Sequence, residues 1–328
     1  MSEVTNAIRE AIATVNITGI LKKKELERKT TKDGEVISGH LIVETEPGNE
    51  IRLDTYVNKM TKGTAEKPSQ ESSVWKNQIR VLEEYVSMTD LMKNGQDETT
   101  ARANATKFSV RARLGLNDYV DRDGNVISSP RLNAGFSFFS RQDAGTIVTP
   151  CARFEVEGFV IEKRPEMKGD DETGRLLLKL VVPGYRGLAQ PMDFVVSKDA
   201  SDYVNDHYEV GHTVHVYGDI VHRVNSVTKQ KAGFMKTETE VVTTIVNEML
   251  IDNGEPEPYD MENQQAYQPD AIRTAMRYRE NEYLPEVKRK AAEKKAAPAA
   301  PANGFATPGF GAAPVNMAPA APKTGFTY

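Results

Sequence analysis

Val15-Asn-Ile-Thr-Gly-Ile-Leu-Lys-Lys-Lys24 and, 139 positions later, Phe154-Glu-Val-Glu-Gly-Phe-Val-Ile-Glu-Lys163 follow one pattern. Each alternates apolar and polar residues up to a glycine, Gly19 or Gly158, and then runs into charge. Alternation of this kind marks a half-buried strand, and a glycine inside it marks a bend or a close approach of another backbone.

Two more matches follow in the same order. Gly39-His-Leu-Ile-Val-Glu-Thr-Glu-Pro-Gly parallels Gly174-Arg-Leu-Leu-Leu-Lys-Leu-Val-Val-Pro-Gly with one residue inserted, and Asp54-Thr-Tyr-Val-Asn-Lys parallels Asp193-Phe-Val-Val-Ser-Lys. Ordered matches at a near-constant offset read as a duplicated unit. Beyond the third strand, Ser72 to Asn94 places Trp75, Ile79, Leu82 and Val86 on one helical stripe, and Ala200 to Tyr208 has room for a short helix. Lys107 to Leu114 and His212 to Val221 then read as fourth strands, Leu132 to Phe139 and Glu240 to Ile251 as fifth strands.

Three strands, a helix and two strands, twice over, with a glycine in each first strand, resemble the OB-fold, a five-stranded Greek-key barrel. The expected fold is mostly β: two OB-like barrels in tandem, a C-terminal helix and a disordered tail. The expected divisions are 1–148 for the first barrel, with a helical insertion after its third strand, and 149–252 for the second. An acidic linker and charged helix would fill 253–295, and a tail dominated by Ala, Pro and Gly 296–328. Pro285 should break or kink the helix.

The whole chain of 328 residues has 42 basic and 47 acidic side chains, a net charge of -5. Asp252, Glu255, Glu257, Asp260 and Glu262 lie in a stretch without Lys or Arg that accounts for this imbalance, so the other segments are neutral in sum and locally basic. That acidic stretch is able to lie over a basic face and compete with a polyanion. No apolar run approaches the roughly 20 residues that span a bilayer. One cysteine, Cys151, permits neither an internal disulfide nor a cysteine-based zinc site, and with an N-terminus lacking export features the expected location is the cytoplasm.

Catalytic and cofactor signatures are missing from the chain: it has no phosphate loop, dinucleotide fingerprint, zinc-protease helix or nucleophile elbow. No catalytic residue, cofactor or metal site is expected. His212 and His215 point to opposite faces of an extended strand, which argues against a metal site among the clustered histidines. Asp121-Arg-Asp-Gly-Asn reads as a hairpin turn rather than a calcium loop, and Cys151 as a small apolar filler.

Binding features are richer. The loop joining the first two strands carries Lys22, Lys23, Lys24, Arg28 and Lys29 against Glu25 and Glu27. In the second unit the loop between strands four and five carries Arg223, Lys229, Lys231 and Lys236 around Phe234, with no acid. Arg111 and Arg113 share the outer face of a fourth strand, and Tyr217 holds the related position in the second unit. Cations beside exposed rings suit a single strand, in which phosphates need neutralising and bases offer faces to stack. The third-strand aromatics Tyr56 and Phe194 are weaker candidates, and Trp75 is more at home in the core.

OB barrels followed by a Gly/Pro/Ala tail resemble single-stranded DNA-binding proteins of the bacterial or phage replication type, although this chain ends Lys-Thr-Gly-Phe-Thr-Tyr328 without their acidic tip. The resemblance implies single-stranded DNA as partner, no catalysis, and replication or recombination proteins as possible partners of the tail. A phage assembly or adaptor protein and an RNA-binding module are the alternatives.

Overall fold

A Cβ on Gly19 would stand 2.5 Å from the carbonyl oxygen of Glu44, and one on Gly158 would stand 3.0 Å from Leu180 Cβ. At these two points a first strand crosses close to its neighbour and turns away to serve a second one. In the computed structural model the first strand, β1 (Ala13–Thr31), pairs with β4 (Lys107–Val120) up to Ile20 and with β2 (Gly34–Glu46) from Ile20 onward. A β-bulge between Leu21 and Lys23 makes the bend. In the second unit the bulge lies between Val160 and Glu162, at the same offset of 139.

The structure describes residues 8–63, 68–143, 149–232, 237–260 and 262–296, with side chains for all of them except 224–245 and 294–296. Barrel one runs β1 beside β2, β2 beside β3 (Asn49–Asn58), β3 parallel to β5 (Val126–Asn133) at Asp54↔Asn133, β5 beside β4, and β4 back to β1. Barrel two repeats that closure with β7 (Cys151–Lys168), β8 (Asp171–Pro183), β9 (Ala189–Val196), β11 (Thr237–Gly254) and β10 (Thr213–Ala232); here β9 and β11 form the parallel pair. This is the OB arrangement, present twice. β1 also pairs with β7, Ala13↔Val156 through Thr18↔Cys151, so a single sheet continues from one barrel into the other. Inward residues of both barrels, among them Val15, Leu41, Phe108, Phe154, Leu180 and Phe194, belong to one continuous core.

Three helices, α1 (Trp75–Glu84), α2 (Met88–Lys93) and α3 (Glu98–Asn104), lie between β3 and β4; α4 (Lys198–His207) is their counterpart. The duplication extends to a side chain: Lys24 Nζ donates to the carbonyls of Leu82 and Tyr85 at 2.7 and 2.6 Å, and Lys163 Nζ to those of Asn205 and Tyr208 at 2.6 and 2.8 Å. Each lysine caps the C-terminus of the helix in its own barrel, where unpaired carbonyls attract a cation. Burial pushes the Lys24 ammonium below its ordinary range. Lys24→Ala should therefore lower stability by about 1–3 kcal/mol, the worth of hydrogen bonds to a charged group. A melting curve checks this, and the salt dependence of any polyanion binding should stay as in the parent.

Several boundaries differ from the sequence reading. Trp75 is buried with Ile37, Val57 and Val74, as its stripe suggests, but α1 stops at Glu84 and leaves Val86 exposed. The basic stretch read as a loop is the outer half of β1, and only Lys32-Asp33 separates it from β2. The fifth strand of barrel one begins at Val126, immediately after the Asp121–Asn125 turn, and ends at Asn133; Phe139 opens a separate short strand, β6 (Phe139–Arg141), paired with β4.

The segment after β11 packs back onto the barrels. Glu255 N donates to His215 O, Tyr259 pairs with Thr213, and Tyr267 is buried with its hydroxyl on Glu157. α5 (Pro269–Tyr278) lies on β9 and α6 (Leu284–Ala296) on β4 and β5. Pro285 does not break this helix, because a five-residue π-helical turn, Arg279–Tyr283, precedes it and widens the backbone where its missing N–H and ring would otherwise clash. The tail expected over 296–328 lies, from 297 onward, outside the described residues.

Candidate nucleic-acid interface

Because the basic stretch of β1 is strand, alternation divides it. Lys24 and Arg28 stand opposite Leu41 and Ile37, both fully buried, and so point to the inner side. Lys24 is committed to its helix cap, and Arg28 lies 5.8 Å from the Trp75 ring while donating to Glu35. Lys24 is thus engaged at its helix cap, while the Arg28 side chain stays 43% exposed in its pair with Glu35. Lys22, Lys23 and Lys29 remain outward, ion-paired with Glu50, Glu25 and Glu27. Lys59 and Arg28 both donate to Glu35 and hold its carboxyl below the usual carboxylate range. The hairpin is therefore a paired surface rather than a bare cationic one, although exposed pairs of this kind exchange readily.

Arg111 and Arg113 do face outward from β4, with Arg111 on Thr14 Oγ1 at 3.1 Å and Glu155 at 3.4 Å and Arg113 on Glu10. Tyr217 is half-buried. Its ring lies 4.8 Å from that of His215, and burial together with Glu255 and Glu155 raises its phenol. With His215 between Glu155 and Glu255, the surroundings of Tyr217 are acidic, a poor setting for a phosphate. Asp252 holds Arg153 at 2.8 Å, so two of the carboxylates of the acidic segment are spent on the second barrel. Arg223 pairs with Glu46. Lys229 and Lys231 stand on the β10–β11 ribbon at register positions opposite Glu240 and Glu238, acids that the reading of an acid-free loop left out. Phe234 and Lys236 lie outside the described residues.

The rings that the structure does expose are elsewhere. Phe136 is 81% exposed, Phe138 58% and Tyr56 50%. Tyr56 points outward from β3 in register with Ser38 of β2, and the loop from Ala134 to Phe138 passes beside it. Gly135 is required there, since a Cβ would meet Tyr56 O at 2.7 Å. This loop is tied at both ends. Ala134 N donates to Asp54 O at 2.8 Å, Asn133 Oδ1 accepts from Gly135 N, the buried Gln78 amide reaches Ala134 O, Ser137 Oγ donates to Arg111 O, and Asn77 exchanges two hydrogen bonds with Phe139. Phe139 itself is core. Two phenylalanines are thus held in water on an anchored loop, a costly arrangement for apolar side chains unless something stacks on them.

Cations border the trio. Arg131 and Arg52 both hold Asp54, on the same outer face as Tyr56 and two residues from it, and the backbone carbonyl of Arg111 ties the loop to β4 on the other side. Beyond Arg52 and Arg131 a cleft of about 610 Å³ separates the barrels, bordered also by Ile42, Met192, His222 and Glu248. Sequence reasoning missed Phe136 and Phe138 by treating alternate apolar residues as strand; Asn-Ala-Gly before them was the available turn signal. Among the described residues no group of His, Cys, Asp and Glu is arranged to hold a metal ion, and no helix is long and apolar enough to cross a membrane.

The family model described as YorF matches residues 12–290, which takes in both barrels, α5 and the first part of α6. The chain belongs to the YorF family. No curated protein matches this YorF family chain. Among solved structures it is similar to the wild-type single-stranded DNA binding protein from Thermus aquaticus, at 11% identity over 75% of this chain and 93% of that one, with a TM-score of 0.41. A deletion mutant of the same Thermus aquaticus protein is similar at 12% identity over 77% and 97%, with a TM-score of 0.40. The OB assignment for this YorF family member follows from its own strand pairing.

Proposed function

We propose that this protein binds single-stranded DNA with little sequence preference and without catalysis, in replication, recombination or repair. The observation that carries this reading is the anchored, exposed trio Tyr56, Phe136 and Phe138 with Arg52 and Arg131 on the outer face of Tyr56. Flat rings accept any base, and arginines neutralise phosphates, so the chemistry is tolerant of sequence. Lys22, Lys23, Lys29 and Arg113 extend the cationic border on the outer side of the first barrel. An adaptor protein would also expose an apolar patch, but among neutral loops, so binding to oligo-dT separates the two readings.

Titration of labelled oligo-dT at several salt concentrations tests the proposal. Affinity should fall with a log–log slope of roughly -2 to -4, as for release of three to five counterions from a single strand. Duplex DNA of equal length should bind more weakly, because its bases are not open to the rings. Tighter binding of oligo-U than of oligo-dT would move the assignment to RNA, and no binding to either at low salt would leave the adaptor reading.

A further inference from the structure

Tyr185 is 66% exposed on the loop between β8 and β9, and the guanidinium of Arg186 lies 5.2 Å from its ring centroid. Arg186 takes φ 60 and ψ 30, the left-handed region that side chains other than glycine rarely adopt. The loop is nevertheless fixed: Gly184 N donates to Leu188 O at 2.9 Å, Gly187 N to Gly184 O at 3.0 Å, and Ala11 N to Pro183 O at 2.8 Å. An unfavourable backbone held in place around an exposed ring points to function.

Its position matters as much as its composition. Gln190, at the base of this loop, accepts from Leu116 N at 2.9 Å, and a Cβ on Gly115 would meet its Oε1 at 3.1 Å. The second barrel therefore touches β4 where Gly115 leaves space for it. β4 is the strand that carries Arg111 and Arg113 outward, and Arg111 O is bonded to the loop of Phe136 and Phe138. From Arg111 to Gly115 the strand covers roughly 14 Å. Glu155 and Glu10 hold the two arginines along the way in exposed pairs that phosphates can displace.

We infer that the two barrels share one track for single-stranded DNA, running from Phe136 and Phe138 over Arg111 and Arg113 to a second stacking point at Tyr185 and Arg186. The inference rests on the proposed single-strand binding and adds the direction and reach of the path. A short strand is served by the first barrel alone; a longer one gains Tyr185 and Arg186.

The test compares oligo-dT of about 5 and about 30 nucleotides, lengths within and beyond the roughly 4–16 nucleotides that one barrel covers. Tyr185→Ala and Arg186→Gly should each weaken the longer oligonucleotide about 5-fold or more, the lower end of the loss of one stacked base, and leave the shorter unchanged. Glycine adopts this backbone freely, and a melting curve of each variant at the parent temperature shows that a binding loss is not a folding loss. Parent-like binding of both lengths by both variants, with binding still lost in Phe136→Ala, overturns the shared track and leaves the single-strand reading intact. Failure of the parent to bind either length overturns both.

Discussion

Phe136→Ala combined with Phe138→Ala is expected to weaken oligo-dT binding by about 100-fold, taking each stacked base near the low end of about 1–3 kcal/mol. The melting temperature should stay at the parent value, because both rings are exposed and neither belongs to a core cluster. This pairing of a large binding loss with unchanged stability separates a stacking role from a structural one. The backbone of the loop does not depend on the rings: its anchors are Asn133, Gln78, Asn77 and Ser137. Tyr56→Ala should add a further loss in the same assay, while Tyr217→Ala should have a small effect, given its half-buried place among Glu155, Glu255 and His215. A parent-like affinity in the double variant would remove the loop from the binding surface.

Arg279→Ala is expected to destabilise the fold by about 3–5 kcal/mol, the cost of leaving the partner of a buried ion pair uncompensated. Arg279 is 2% exposed and reaches Asp118, equally buried, on the hairpin of the first barrel. It also donates to Ser128 Oγ at 3.0 Å and to Ala189 O of the second barrel at 3.3 Å. One guanidinium at the π-helical turn of the C-terminal helix thus joins both barrels. For a chain of this length such a loss corresponds to a fall of roughly 10 °C in melting temperature. Replacing Arg279 and Asp118 together by apolar residues of similar volume should recover much of it, because no charge is then left buried. A fall of less than about 1 kcal/mol in Arg279→Ala would show the pair to be solvated and the helix to be loosely attached.

The fold was legible in the sequence because duplication repeats its punctuation. Gly19 and Gly158 mark the bends, and the charged residues after them mark where each strand leaves the core. What pattern reading lacked was the length of the strands. Taking Lys22 to Lys32 as loop hid the alternation that turns Lys24 and Arg28 inward, and taking Leu132 to Phe139 as strand hid the loop that exposes Phe136 and Phe138. Long-range partners were equally out of reach. Nothing local to Arg279 announces Asp118, and nothing local to Tyr217 announces Glu255. Charge counted along a segment overstates a cationic surface when the acids arrive from neighbouring strands, as Glu35 and Glu50 do at the first hairpin.

The most direct test of the central claim is photo-crosslinking of the intact protein to oligo-dT carrying iodouracil, followed by mapping of the modified residues. Crosslinks at Tyr56, Phe136 and Phe138 are predicted, since iodouracil reacts with rings stacked against it. Crosslinks confined to the β10–β11 ribbon, or none under conditions where the oligonucleotide is bound, would contradict the account.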